Sequence, residues 1–310
     1  YRAYLDEPIV QRADEDGAVT AELAAYLADE AAPLDVRAAV INAIGWEAEG
    51  GGRAEALAQY AYGKSFSELD MYAMRPDERF VFGYLLAMDD YFDTAAAEDW
   101  LYSARLGLPD SFTAAMIHAL VAAQSLMWEP DAWQEIWRVA AAVAFDEKLL
   151  LDMRPEAAKI IVDYMALYGS GSGINPFSDE NVLEFRVGDP LFTMNGMRSP
   201  LEQVHGAAPV LRGGTVYLPV RFLAEAAGGA AGWDSAGRKV TVTAPRTVIE
   251  FTIGSPVVLV NGEERRIEQP PILSRGRAML PARFLGEALG FEVAWDAAAN
   301  AVVLTYPPRI

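Results

Sequence analysis

The feature that most constrains this chain is a motif that occurs twice in its second half. Residues 218–228 read Leu-Pro-Val-Arg-Phe-Leu-Ala-Glu-Ala-Ala-Gly, and residues 280–290 read Leu-Pro-Ala-Arg-Phe-Leu-Gly-Glu-Ala-Leu-Gly. Each has proline in a first helical turn, apolar residues at helical spacing and a final glycine, so each predicts a short helix. Because an Asn-Gly pair precedes each motif and a Trp-Asp pair follows it, we expect a duplicated structural unit.

Each copy of this unit also carries strand and turn signals. Four segments alternate apolar and polar residues or are rich in β-branched residues, as strands are: 182–188, 239–243, 248–254 and 301–306. Asn195 and Asn261 each precede a glycine, and Asn-Gly is typical of a type I′ hairpin turn with positive φ at both residues. We therefore predict a sheet with a helix packed on it in each copy.

Side-chain roles follow from the helical spacing. Arginine and glutamate four positions apart are expected to pair along each helix, Arg221 with Glu225 and Arg283 with Glu287. The apolar face should pack on the sheet. It comprises Phe222, Leu223 and Ala226 in the first copy and Phe284, Leu285 and Ala288 in the second.

The residues after each helix also have predicted roles. Gly228 and Gly290 suit the left-handed position that ends a helix. Trp233 and Trp295 are predicted to be large core residues at the start of the next strand. The aspartate after each tryptophan is expected to begin a turn.

Together, the Asn-Gly hairpin, the Leu-Pro-x-Arg-Phe-x-x-Glu-Ala-x-Gly helix and the Trp-Asp pair resemble the copper amine oxidase N-terminal domain-like family, or stalk domains. The resemblance covers roughly residues 182–306 as two tandem copies, the first with four extra residues near 198–204. It implies an antiparallel sheet wrapped on a helix. It also implies export by a Gram-positive bacterium, where such modules accompany wall-associated, adhesive or hydrolytic partners.

The family name does not extend to oxidase chemistry. The chemistry of copper amine oxidases requires three histidine ligands for copper and a quinone derived from the tyrosine of an Asn-Tyr-Asp/Glu motif. This chain has two histidines and no Asn-Tyr pair. No catalytic, cofactor-binding or metal-binding residue is therefore carried over, and we expect neither a cofactor nor copper amine oxidase activity.

The first half of the chain has a different pattern. Residues 1–168 are rich in alanine, contain helix starts such as Thr20 and lack strand alternation, which predicts an all-α, helical-repeat (solenoid-like) domain. The Gly/Ser-rich segment 169–180 is typical of an interdomain linker. The predicted chain is thus multidomain, ending in an α+β part made of two stalk-type modules, residues 181–246 and 247–310.

The helical half contains a weaker repeat of its own. Met-Arg-Pro occurs twice, 79 residues apart, and a preceding apolar helical segment recurs after 76 residues. This pattern predicts two stacked multi-helix units at about 35–92 and 111–168. Stacked helical units expose a broad surface, which more often serves binding than chemistry.

Charge is concentrated in the first half. Residues 1–170 carry 30 acidic and 12 basic side chains and residues 171–310 carry 14 and 13, a total net charge of −19. Nucleic acid is excluded as a partner, because phosphates need a basic face.

No apolar run predicts a transmembrane helix, and no cysteine is present for disulfides, thiolate ligands or nucleophiles. We expect an exported protein whose signal peptide has been removed, or a trimmed chain, since it starts at Tyr1 without a leader.

Few side chains suggest a site. His118 lies in an apolar helical segment, where a core or groove histidine is the favoured interpretation, and His205 lies in the inserted loop, where exposure is expected. Trp128, Trp133 and Trp137 lie on or beside one helix. They could form a sugar platform or a packing seam, and packing is favoured.

Two acidic clusters leave calcium binding as an open alternative. Residues 14–17 (Asp-Glu-Asp-Gly) with Glu22 have their glycine two positions too early for an EF-hand loop, so a solvated segment is favoured. Asp89 and Asp90 with Asp93 are more typical of an acidic helix end. Chance pairs of carboxylates are unavoidable among so many acids, so none is taken as a glycosidase pair.

These patterns favour a non-enzymatic secreted or cell-surface protein with a structural or binding role. The helical domain would present an interaction or assembly surface on the stalk-like pair, with a protein, a cell-wall glycan or a second copy of the chain as partner. The alternative is a hydrolase or lyase acting on cell wall or glycan, with its active site in the helical domain and the stalk as accessory. A sensor of cationic solutes is a third, weaker interpretation.

Overall fold

The computed structural model describes residues 1–47, 50–127, 129, 132–169, 173–179, 181–201 and 207–309. The chain divides into two compact units, Tyr1–Ile161 and Val162–Ile310. The division lies within one helix, shortly before the segment 169–180 that is predicted to be a linker. Residues 170–172 and 180 of that segment lie outside the described residues.

The first unit is helical, and the described part of the chain confirms a helical region followed by a sheet region. Its helices are α1 Pro8–Asp16, α2 Ala21–Ala28, α3 Leu34–Ile44, α4 Arg53–Tyr62, α5 Pro76–Asp89, α6 Ala95–Gly107, α7 Phe112–Leu126, α8 Trp133–Ala144 and α9 Pro155–Ala166, which continues into the second unit. None of the described helices has both the length and the apolar character needed to cross a membrane.

Local sequence accounts for several helix ends. The Thr20 hydroxyl accepts the Leu23 N–H (3.4 Å) at the start of α2, as side-chain caps do. The Ser111 hydroxyl accepts the Ala114 N–H (3.0 Å) at the start of α7. Helices α5 and α9 begin at prolines, whose missing N–H would have no partner in a first turn.

Helix α5 is central to the core of this unit. Phe80, Phe82 and Leu85 are fully buried, and α5 packs along α6 while also contacting α2, α3, α4 and α7. A helix with neighbours on several sides is apolar around most of its circumference, which fits the weak amphipathic pattern of this segment. The segments of the predicted internal repeat fall on α3 and α7 and on α5 and α9; their equivalence as repeats stays a prediction.

The second unit consists of strands and two short helices. They are β1 Val182–Arg186, β2 Leu191–Met194, β3 Met197–Pro200, β4 Val210–Arg212, β5 Thr215–Pro219, α10 Val220–Ala226, β6 Ala230–Asp234, β7 Lys239–Ala244, β8 Thr247–Thr252, β9 Val257–Val260, β10 Glu263–Arg266, β11 Ile272–Ser274, β12 Arg277–Pro281, α11 Ala282–Ala288, β13 Glu292–Asp296 and β14 Ala301–Thr305.

The strands form three antiparallel sheets that are shared between the first copy (181–246) and the second copy (247–310). One sheet, in the order β13-β14-β1-β2-β3, joins the last hairpin of the second copy to the first three strands of the first. The sheet β10-β9-β8-β7-β6 is built the opposite way, since it joins the last hairpin of the first copy to the first three strands of the second. The sheet β11-β12-β5-β4 takes one hairpin from each copy. The two copies therefore exchange strands and do not form two sheets of their own.

This exchange has pseudo-two-fold symmetry. In the central pair β5–β12, Leu218 lies opposite Leu280, which is its own counterpart in the other copy. Main-chain hydrogen bonds repeat in the same way. The Val187 N–H donates to the carbonyl of Asn300 (3.0 Å), and the Ile253 N–H donates to the carbonyl of Arg238 (3.1 Å). Equivalent residues, 66 positions apart before the four extra residues of the first copy and 62 after them, therefore have similar surroundings.

The predicted Asn-Gly hairpins are confirmed. Asn195 and Asn261 have φ values of 50° and 54°, and the glycines that follow have φ values of 82° and 83°. Each asparagine side chain also accepts a main-chain N–H at the start of its copy, from Val182 (2.9 Å) and from Val248 (2.8 Å). Both residues of each pair thus adopt the left-handed conformation that a type I′ turn requires.

The predicted apolar helix face is buried more completely in the first copy than in the second. Phe222 packs edge-on against Phe185 and Phe192, with ring centroids 5.7 Å and 4.6 Å apart. Leu285 of α11 is fully buried, whereas Phe284 is only partly buried. Each helix nevertheless covers strands from both copies, so the two share one core.

Candidate binding grooves

A groove opens where the start of α10 meets strand β6. Its walls are residues 219–221, residues 231–233 and Val240 from the first copy, with Leu273 and residues 276–278 from the second. Its volume is about 310 Å³, and we call it groove A. Because both copies supply walls, groove A depends on the exchange of strands.

Groove B is the symmetry counterpart of groove A and has a volume of about 330 Å³. It is lined by residues 281–283, 293–295 and Val302 of the second copy, with Leu211 and residues 214–216 of the first. Each lining residue of groove A lies 62 positions from a lining residue of groove B. The duplicated sequence thus builds two equivalent concave sites.

One tryptophan stands at the rim of each groove. Trp233 is 45% exposed and Trp295 is 46% exposed, so the prediction that they are core residues is wrong. The reason is strand order, since β6 and β13 are edge strands and no further strand of the sheet covers their outer side. Among the described residues, neither indole N–H has a hydrogen-bond partner. Each groove therefore offers an aromatic face and a free donor.

One arginine from each helix start lines each groove. Arg221 and Arg283 are exposed, and within the described part of the chain neither has a hydrogen-bond or ion-pair partner. The predicted pairs with Glu225 and Glu287 do not form, because both arginines are directed to the grooves instead. Both guanidinium groups remain available to an anionic ligand.

Among the described residues that line the grooves, arginine is the only charged type. Groove A contains Arg221 and Arg277, while groove B contains Arg283 and has Thr215 at the position equivalent to Arg277. The rest of the lining is apolar or small. Small-molecule sites in proteins commonly combine apolar walls with a few placed polar groups, and both grooves have this character.

The aspartates that directly follow the tryptophans in the sequence are engaged in turns. Asp234 accepts the N–H groups of Ala236 (3.0 Å) and Gly237 (3.1 Å). Asp296 accepts the N–H groups of Ala298 (2.9 Å) and Ala299 (3.0 Å) in the second copy. The prediction that each aspartate begins a turn is confirmed, and these negative charges are tied to the backbone beyond the groove walls.

The segment that builds both grooves has a recognisable family. Residues 198–304 match the family model described as the copper amine oxidase N-terminal domain. This supports the family inferred from the duplicated motif. The match spans β3 to β14 as one segment, so the division of this copper amine oxidase N-terminal region into two copies rests on the internal repeat. No curated protein and no solved structure matches the chain.

The residues of the chain do not fit the copper in the family's name. An oxidase copper site implies three histidines, and the chain has two, His118 and His205. Among the described residues, no group of three or more His, Cys, Asp or Glu side chains is placed to hold a metal ion.

The helical unit has a separate cavity of about 280 Å³, lined mainly by apolar residues of α3, α7 and α9. The Tyr4 hydroxyl donates to Asp35 (2.7 Å), and the Asn42 amide donates to the Tyr84 hydroxyl (3.2 Å). Burial raises the pKa of both tyrosines, that of Tyr84 to about 12, so both stay neutral. Asp35 is the one carboxylate among the described residues that line the cavity.

The histidines do not form a site together. His118 is half-buried on α7, with its ring centroid 6.1 Å from that of Tyr102. Burial, helped by the positive charge of Arg105, lowers the pKa of His118, so the ring is neutral at pH 7. This agrees with a groove or core histidine. His205 lies outside the described residues.

The tryptophans near α8 have different environments. Trp137 is fully buried, which supports the packing interpretation for this residue. Trp133, at the first position of α8, is exposed. Trp128 lies outside the described residues.

The first acidic cluster forms the end of a helix. Residues 14–16 complete α1, and Gly17 follows in the left-handed conformation (φ 60°). Arg12 lies 3.3 Å from Asp16 and 4.0 Å from Glu22. Arginine thus neutralises part of this cluster, in agreement with a solvated helix end.

The second acidic cluster has local structural roles. Asp90 accepts the N–H groups of Phe92 (3.0 Å) and Asp93 (3.1 Å) just after α5. Asp89 is buried and accepts N–H groups at the start of α4. These carboxylates satisfy backbone donors, as expected at helix ends.

Proposed function

We propose that this chain is a non-enzymatic binding protein of the cell exterior, secreted or surface-attached, whose second unit binds its target through grooves A and B. The helical unit presents a second interaction surface to a protein partner. The observation that supports this function best is the pair of grooves, each with an exposed tryptophan and an arginine that has no partner among the described residues.

Nearly half of the surface of each groove tryptophan stays in water, so each contributes less to folding than a buried tryptophan would. In binding interfaces, by contrast, tryptophan and arginine supply a large share of the affinity. Trp233 and Arg221 line groove A, and Trp295 and Arg283 repeat them in groove B. Their arrangement favours ligand binding over a role limited to stability.

The strand order also favours binding over a simple spacer role. The first strand of this unit, β1, and its last strand, β14, are neighbours in one sheet. The Tyr306 N–H donates to the Asn181 carbonyl (3.0 Å), so the two ends of the strand region lie side by side. A covalent spacer gains little length from such a unit. Attachment through its own grooves would still allow it to anchor the chain.

The localisation is part of the proposal. A chain without cysteine suits an exported bacterial protein, although it does not require export. The strongly acidic composition favours solubility outside the cell. The resemblance to stalk domains points to a Gram-positive cell wall as the surface concerned.

A hydrolase or lyase site in the helical unit has less support. Glycoside hydrolases use two carboxylates that face the same bond. The described lining of the helical cavity supplies Asp35 alone, and this side chain accepts a hydrogen bond from Tyr4. In the part of the helical unit that the structure describes, this cavity therefore gives catalysis no specific support.

We expect the full chain to sediment with purified Gram-positive cell walls. The double variant Trp233→Ala/Trp295→Ala should weaken this binding about tenfold or more, because each groove loses its aromatic anchor. Binding is measured from the fraction sedimented across a series of wall concentrations. Because each tryptophan still buries about half of its surface, thermal unfolding is measured for both proteins and binding is compared at a temperature where both are folded.

The matched control is Trp46→Ala, which removes an exposed tryptophan of the helical unit. It should sediment like the unchanged protein. If the double groove variant binds walls as well as the unchanged protein, or if the unchanged protein does not bind walls at all, the proposed function is wrong.

A further inference from the structure

We propose that grooves A and B bind acidic polysaccharide, with a sugar ring against the indole and a carboxylate of the sugar against the arginine. This inference rests on the proposed binding function and adds the chemical class of the ligand. It follows from charge, from the position of the arginines and from the shape of the aromatic surface.

The charge of the grooves is opposite to that of the protein. The chain has a net charge of −19, yet Arg221 and Arg283 face the grooves and no acidic residue is among the described groove walls. Asp234 and Asp296, which follow the two tryptophans in the sequence, accept backbone N–H groups in turns. A cationic ligand would find no counter-charge in the walls, whereas a carboxylate would find an arginine.

The arginines are placed to receive an anion. Arg221 and Arg283 line their grooves, are exposed and have no hydrogen-bond or ion-pair partner in the described part of the chain. A carboxylate accepts charge-assisted hydrogen bonds from a guanidinium, so an acidic ligand would supply the partner that each arginine lacks there.

The indoles distinguish a sugar from a simple anion. Trp233 and Trp295 present flat apolar faces beside Val240 and Val302, which are buried at the base of the grooves. The C–H face of a pyranose ring packs well on such a surface, and its hydroxyls can accept from the free indole N–H. Phosphate alone would use the arginine but not the indole, and a neutral sugar would use the indole but not the arginine.

Two equivalent grooves on one unit favour a polymer over a single sugar. A polymer with many acidic residues, or a surface with many chains, engages both grooves and gains affinity from the second contact. The arginine that each groove takes from its own helix, Arg221 or Arg283, is present in both, so each groove offers the polymer the same pair of indole and guanidinium.

The test compares polygalacturonate with its fully methyl-esterified form, which keeps the backbone and lacks the charge. The full chain should bind polygalacturonate at least tenfold more tightly than the ester, measured by titration calorimetry at constant salt. The variant Arg221→Gln/Arg283→Gln should lose this preference. The control Arg186→Gln/Arg265→Gln removes two exposed arginines of the same unit outside the grooves, and should bind within about threefold of the unchanged protein.

Four outcomes separate this inference from the proposed function. Equal binding of acid and ester would overturn the acidic class, although the grooves would remain binding sites. Binding of polyglutamate as tight as that of polygalacturonate, and unaffected by Trp233→Ala/Trp295→Ala, would overturn the sugar class. Sedimentation with cell walls that needs both tryptophans, without binding of polygalacturonate, would refute the ligand class alone. Absence of both kinds of binding would refute the inference and the proposed function together.

Discussion

A chain cut between Pro245 and Arg246 should stay in one piece under native conditions. These residues form the two-residue connection between β7 and β8, and thus between the first and second copies. Short insertions in surface turns cost little, so a protease recognition sequence can be placed there. After cleavage the two fragments should elute together from a sizing column at the position of the uncut protein.

The reason is that the strands most needed by each fragment belong to the other. Strand β1 pairs with β14, β5 pairs with β12, and β7 pairs with β8, each across the division. Separation would expose the edges of all three sheets and the core under both helices, and unpaired buried backbone groups are costly. The fragments should separate only when urea is added, so the same digest run without urea is the control. Separation without denaturant would mean that the two copies are independent modules.

In the helical unit, Asp89→Ala should lower the free energy of unfolding by about 3 kcal/mol. Asp89 is 7% exposed and accepts the main-chain N–H groups of Arg53 (2.9 Å) and Ala54 (3.0 Å). The residue before α4 is Gly52, which has no side chain to cap the helix, so Asp89 caps it from the end of α5. Its carboxylate also lies 3.4 Å from the Arg53 guanidinium, which is buried too.

Removal of Asp89 leaves two helix donors without an acceptor and a buried cation without its main partner. Glu47 remains 3.4 Å from Arg53 but is largely exposed, so it offsets little of the loss. The measurement is urea unfolding followed by helical circular dichroism. The control Asp90→Ala removes a neighbouring, less buried carboxylate and should cost about 1 kcal/mol or less.

A second variant tests the cause of this loss. Arg53→Met in the Asp89→Ala background removes the unpaired buried charge and should restore part of the stability, because a buried pair is costlier to break than to replace. A loss of under 1 kcal/mol for Asp89→Ala would contradict this role of Asp89. So would a double variant that is no more stable than the single one.

Features that depend on short-range sequence could be predicted residue by residue. The Asn-Gly turns have positive φ, and Gly228 and Gly290 end their helices with φ values of 73° and 90°. The Thr20 cap and the aspartate turns also follow from groups only a few positions apart. Each of these depends on the conformational preference of one or two residues, which neighbouring structure rarely overrides.

Predictions that depended on distant neighbours were less successful. Trp233 and Trp295 have the size and position of core residues, but they lie on edge strands and are exposed. Arg221 and Glu225 have the spacing of a helical pair, but the arginine is directed to a groove. The grooves themselves were missed because their walls come from both copies, which no local pattern reveals.

By itself the sequence determined that the second half is a duplicated unit of strands, hairpins and a short helix, and that the first half is helical. It did not determine which strands pair. Strands β7 and β14 are equivalent by the repeat, so β1 has two chemically similar partners, one in its own copy and one in the other. Only closure of the whole unit selects β14, because that pairing buries both helices in one core and leaves the tryptophans at its edges.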